Sequence, residues 1–125
     1  MNTQVAIKSY AKVNYGANVE IASPHRLIDM LYEGALERIA QARGAMQFGN
    51  VELKGKKIND AVKIVGGLRE SLNLDEGGDI GQNLNNLYIY IQGLLAKAHL
   101  KNDDKILEEC SNLLVELRLA WKQIG

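Results

Sequence analysis

The sequence predicts an all-α protein: an antiparallel four-helix bundle preceded by a short N-terminal arm or helix. Three observations point there. Pro24 is the only proline in 125 residues, so the residue that most disrupts a helix interior is absent from everything after position 24. Apolar residues recur at steps of three and four along four long stretches, whereas β-branched residues are scattered and not gathered into alternating runs. The breaks between the stretches are made of Gly, Asn and Asp.

Residues 1–22 stand apart as a mobile N-terminal arm, and residues 23–125 form the bundle. Val5, Ile7, Tyr10, Val13 and Tyr15 are too few to support an independent helix, so the arm either docks on the bundle or leaves it. Ser23 is placed to accept hydrogen bonds from the free N–H groups of the first helical turn, and Pro24 suits the first helical position, where its missing N–H costs nothing. The first stripe is Ile28, Leu31, Ala35, Ile39, Ala42 and Met46, ending at Phe48-Gly49-Asn50, where Gly49 suits a left-handed exit and Asn50 can cap the next helix.

The second segment runs from Asn50 to about Asn73, with Val51, Ile58, Ala61, Val62, Val65, Leu68 and Leu72 as its stripe. Gly55, Gly66 and Gly67 interrupt it. Each mid-helix Gly costs roughly 1 kcal/mol relative to Ala, so these three signal a bend, a close helix contact or room for a partner. Residues 75–79, DEGGD, are the clearest turn, and Gly78 or Asp79 begins the third helix, with Ile80, Leu84, Leu87, Ile91, Leu94, Leu95 and Ala98 on one face. The fourth follows the competent caps Asn102 and Asp103 and carries Ile106, Cys110, Leu113, Leu117, Trp121 and Ile124. Helices of this kind, about 30 to 39 Å long at roughly 1.5 Å per residue, joined by short turns, bury their stripes only against one another.

Composition narrows the function. The chain has the length of one domain. Fifteen basic and fifteen acidic side chains give a net charge of zero, so no overall field favours nucleic acid or an anionic membrane. A single cysteine, Cys110, excludes an internal disulfide framework and suits a reducing compartment. The N-terminal residues lack the apolar block of a signal peptide, and no run approaches the roughly 20 apolar residues of a membrane span. A cytoplasmic protein is expected, with neither nucleic acid nor membrane insertion among its interactions.

The residues that could carry chemistry have simpler uses. His25 lies in a first helical turn and His99 near a helix end, both suited to surface or capping roles. No Glu-x-x-His pair occurs, so the ligand set of a di-iron bundle is missing. A histidine-phosphotransfer-like signalling bundle is the enzyme-like alternative, although such bundles expose their His part-way along a helix. Cys110 falls on an apolar stripe, where it reads as a small buried hydrophobe. The pairs Asp75-Glu76, Asp103-Asp104 and Glu108-Glu109 lie at turns or in a first turn, where negative charge favours a helix N-terminus. Gly77-Gly78 lacks the Lys and Ser or Thr of a phosphate-cradling loop. No catalytic site, metal or cofactor is expected.

What remains is a surplus of apolar residues. At about 100° per residue, Ile89 falls nearly opposite the third stripe and Val115 and Leu119 nearly opposite the fourth, while Leu53 and Ile64 share a flank of helix two. Singly, each is an ordinary surface apolar residue. Together with the glycines and the aromatic arm they suggest grooves that accept another amphipathic helix, which is the surface of a binding module.

Four separated blocks carry a resemblance. ASPHRLIDMLYEGALERI (residues 22–39), KGKKI (54–58), GGDIGQNLNNLYIY (77–90) and LLVELRLAW (113–121), in this order and at these spacings, resemble the flagellar secretion chaperone family, FliS. The resemblance implies a non-enzymatic four-helix bundle that binds the C-terminal region of flagellin in the cytoplasm, prevents premature polymerisation and delivers it to the flagellar type III secretion apparatus. It implies no nucleotide or metal. The export gate and regulatory or co-chaperone proteins are further candidate partners, and a client-free homodimer stays open. Tyr10 matches an N-terminal Tyr of the family, and an arm carrying Ile7 and Tyr10 could occupy part of the flagellin groove. The client-binding candidates are therefore Ile7, Tyr10, Leu53, Ile64, Ile89, Val115 and Leu119. Ile89 stands where family members often place a charged residue, which leaves its role between client contact, self-association and neither.

Overall fold

The structure is a computed structural model that describes the backbone of residues 12–15, 18–21 and 74–76 and all atoms of residues 22–73 and 77–124. Its elements are β1 (Lys12–Tyr15), β2 (Asn18–Ile21), α1 (Pro24–Gln47), α2 (Val51–Glu70), α3 (Leu74–Lys101) and α4 (Asp104–Ile124). α1 packs on α2, α2 on α3, α3 on α4, and α4 returns to α1, closing a ring of four antiparallel helices. The expected bundle is observed, and its boundaries follow from local chemistry.

Ser23 caps α1 as anticipated, its Oγ accepting from the Arg26 N–H at 3.1 Å. At the other end Gly49 has φ of 73°, and the N–H groups of Gly49 and Asn50 bond back to the carbonyls of Met46 (3.2 Å) and Ala45 (2.9 Å). This is a Schellman closure, which a left-handed residue makes possible. Asn50 then caps α2, its side chain accepting from the Leu53 N–H at 3.1 Å. α3 closes in the same way with Asn102 in place of glycine, at φ of 52°, and the Asp103 N–H reaches the Ala98 carbonyl at 3.1 Å. The Asp103 side chain accepts from Lys105 N–H at 2.9 Å and starts α4.

α2 ends earlier than its stripe suggests. Ser71 closes it, its Oγ–H donating to the Leu68 carbonyl at 2.6 Å. The DEGGD turn appears as a break inside α3, where Gly78 takes φ of 56° and ψ of −139° and separates a first turn from the long helix.

Leu31, Ile39, Leu68, Ile91, Leu95, Leu107 and Leu114 are fully buried, and each such side chain contributes about 1.5 to 3 kcal/mol relative to exposure. Tyr32 of α1 and Tyr88 of α3 meet across the bundle with their hydroxyls 2.5 Å apart. Burial raises the pKa of both, most strongly that of Tyr88, so the pair is held neutral. Tyr88 was no part of the expected stripe. Conversely Val51, Ile80 and Ile124, assigned to stripes, are 66%, 75% and 75% exposed: Val51 begins α2, Ile124 ends α4, and Ile80 follows the break at Gly78.

Two strands appear in the segment expected only as an arm. β1 and β2 pair antiparallel, with Tyr15 opposite Asn18 and Lys12 opposite Ile21. Lys12-Val13-Asn14-Tyr15 and Asn18-Val19-Glu20-Ile21 each alternate polar with apolar, and Gly16-Ala17 stands between them. Strands of four residues are too short to register against the helical periodicity of the rest.

Candidate functional site

The bundle's seams are fixed by polar contacts, and these decide which side chains remain for a partner. Along α1 and α4, Arg43 forks onto Asp104 (2.8 and 3.0 Å) and reaches Glu108 (3.3 Å) at one end of the bundle. At the other end Asp29 accepts from Arg26 (2.6 Å) and Arg118 (2.8 Å), and Arg118 also reaches Glu33 (3.1 Å). The hydrogen bond from Arg118 holds the Asp29 carboxyl below the usual range, and that from Arg43 does the same for Asp104. Between α2 and α3, Arg69 donates to Asn85 (3.0 Å) and Gln92 (3.1 Å), and Gln92 donates to the Val62 carbonyl (3.0 Å).

Both histidines are part of this framework. His25 stacks on Trp121, with ring centroids 4.8 Å apart and an interplanar angle of 12°. Its Nε2–H donates to the Trp121 carbonyl at 3.0 Å while Trp121 Nε1–H donates to the His25 carbonyl at 2.9 Å. His25 thus ties the start of α1 to the end of α4, a sharper role than the surface or capping residue expected. The His99 ring lies against Gly55, where a Cβ would sit 3.1 Å from the imidazole, so Gly55 serves a close helix contact. Cys110 is fully buried, its thiol is pushed up to about 12 by burial, and it faces the Ile91 carbonyl, which is the inert role expected of it. Among the described residues no group of three His, Cys, Asp or Glu side chains is arranged to hold a metal ion. None of their helices is long and apolar enough to cross a membrane.

The outward apolar residues are the remaining candidates. Val115 (42% exposed) and Leu119 (57%) lie one turn apart on α4, Ile89 (44%) on α3 and Leu53 (38%) on α2. They are distributed over three helices. Ile64 differs from expectation: it is 4% exposed and belongs to the core. Residues 64–68 of α2 are all buried, so the helix is enclosed around its whole circumference at this level, which a wheel with one buried face does not foresee. Ile7 and Tyr10 lie outside the described residues.

Two open depressions are lined by other residues. One, about 620 Å³, lies at the α1–α4 seam and is lined by Ala40, Arg43, Gly44, Met46, Gln47 and Asp104. The other, about 430 Å³, runs along α4 and is lined by Lys105, Glu108, Glu109, Asn112, Leu113 and Glu116. Sequence reading passed over Phe48 and Leu100, 84% and 85% exposed, and Tyr90, whose hydroxyl donates to Glu109 at 3.3 Å. Phe48 was visible as a large apolar residue at a helix stop. Tyr90, in the LYIY block, was hidden by its neighbours on the stripe.

Comparison with known proteins adds what the surface alone does not. Residues 6–125 match the sequence model of the family described as flagellar protein FliS. Flagellar secretion chaperone FliSB of Pseudomonas aeruginosa is 44% identical over 125 residues, covering 100% of this chain and 99% of that protein. Flagellar secretion chaperone FliS of Salmonella typhimurium is 41% identical over 126 residues, covering 100% and 93%. The protein of that name from Bacillus subtilis is 31% identical over 106 residues, covering 85% and 78%.

Proposed function

Because the chain belongs to the FliS family of flagellar proteins, we propose that it is an export chaperone that binds the C-terminal region of flagellin in the cytoplasm, prevents premature polymerisation and delivers it to the flagellar type III secretion apparatus. The observation that carries this reading is the match over residues 6–125, which spans every helix of the bundle. The relatives bear the name secretion chaperone, and the chain is not an enzyme. The family match over residues 6–125 favours the chaperone reading over a phosphotransfer one, and the His25 Nε2–H donates to the Trp121 carbonyl.

The surface suits such a client. An unassembled terminal segment orders as it binds, and the chaperone offers apolar positions on several helices in place of one deep pocket. Leu53, Ile89, Val115 and Leu119 are contact candidates in the bundle, with Ile7 and Tyr10 on the arm, which belongs to the proposal as cap or contact. Ile64 would join them only through a rearrangement that uncovers it. Seeded polymerisation of purified flagellin followed by light scattering tests the reading. Equimolar chaperone should abolish filament growth, and a chain lacking residues 1–15 should bind flagellin with altered affinity. Unchanged filament growth at equimolar chaperone would contradict the function, and unchanged affinity of the shortened chain would remove the arm from it.

A further inference from the structure

The helices are not held equally along their lengths. On α4 the buried residues are Leu107, Cys110 and Leu114, all in its first half. From Val115 onward none is buried: Leu117, Arg118 and Trp121 are half-buried, and Val115, Leu119 and Ile124 are exposed. Across the seam α1 is well anchored at the same end, with Asp29, Leu31, Tyr32, Gly34 and Ala35 all buried.

Polar contacts replace burial in that second half, and all of them land on the first turns of α1. Arg118 bonds to Asp29 and Glu33 at 2.8 and 3.1 Å. One turn further on, Trp121 stacks on His25 and the two residues exchange hydrogen bonds. The Trp121 carbonyl is among the last four of α4, which have no partner within the helix, so His25 acts as a C-terminal cap supplied by another helix. We propose that residues 115–124 form a strap that opens from α1 as one unit, with the His25–Trp121 contact as its catch and Arg118 as its second hold.

The physical reason lies in what each half of α4 loses on opening. Detaching the first half exposes three buried side chains of the core. Detaching the second half exposes the inner sides of Leu117 and Trp121 and exchanges hydrogen bonds and ion pairs for water, which is the smaller cost. Opening of the strap bares that inner apolar side while leaving Cys110 and Leu114 in place.

Residue-resolved native-state hydrogen exchange of the full chain, followed by NMR, tests this without any client. Amides of residues 116–122 should share one protection factor, about tenfold or more below that of residues 107–114, with a step between the halves. His25→Ala should lower protection across the strap by roughly another tenfold and leave residues 107–114 unchanged. Trp121→Phe, which keeps an aromatic ring but loses the Nε1–H, should act in the same direction more weakly. Equal protection in both halves would overturn the proposal. So would protection that climbs smoothly inward from Ile124, which is simple fraying, or variants that lower both halves together or unfold the chain.

Discussion

Asp29 and Lys54 are the buried charged residues among those described, and neither was legible in the sequence as anything but a surface charge. Lys54 lies in the first turn of α2, yet its ammonium donates to the His99 carbonyl (3.3 Å) and to the Asn102 side chain (2.8 Å). It supplies positive charge at the carbonyl end of α3, a demand set by a helix 45 residues away in sequence. Asp29 is explained likewise by Arg118, 89 residues distant. Periodicity marks which face of a helix is inward but not which polar group awaits there. Because folding lowers the Asp29 carboxyl below its ordinary 3.8, the stability it adds is complete at neutral pH. It is lost as the pH falls below that ordinary value and through the lower folded one. Arg118→Met should therefore cost about 1 to 3 kcal/mol at pH 7, read by urea denaturation, and the difference from the parent should shrink at acid pH as the Asp29 carboxyl takes up its proton. An equal cost at both pH values would show that Arg118 acts through packing alone.

At the scale of elements, the chain's punctuation was readable because each stop is a local event. Ser23-Pro24, Gly49-Asn50 and Asn102-Asp103 do as caps and closures what their residue types imply. The strand pair escaped because two four-residue strands alternate too briefly to compete with helical stripes. Among the outward residues, a wheel placed Val115 and Leu119 correctly on α4, whose neighbours lie on one side, and failed for Ile64 on α2, which is enclosed all round at that level. The two α4 positions are therefore suited to a clean test. Val115→Glu with Leu119→Glu should leave the unfolding free energy from urea denaturation within about 0.5 kcal/mol of the parent, since both side chains can turn a charge into water, and should weaken flagellin binding by about tenfold or more. Unchanged affinity in a folded double variant would remove the outer face of α4 from the client surface.

For the whole molecule, the account is that a closed ring of four helices holds its shape through a small apolar core and polar seams, leaving apolar positions outside for a client. The fold was legible because four stripes of similar length have nowhere to go but against one another. The outward apolar positions were only partly legible, because exposure depends on how neighbours cover each flank. Zero net charge gives no long-range steering, so the proposed recognition would rest on buried apolar area, which leaves a heat-capacity signature. The central claim is tested most directly by titration calorimetry of the full chain with a flagellin C-terminal segment at several temperatures. An equimolar complex with a negative heat-capacity change is expected. No detectable heat of binding at any of those temperatures, with the protein at about tens of micromolar, would contradict it.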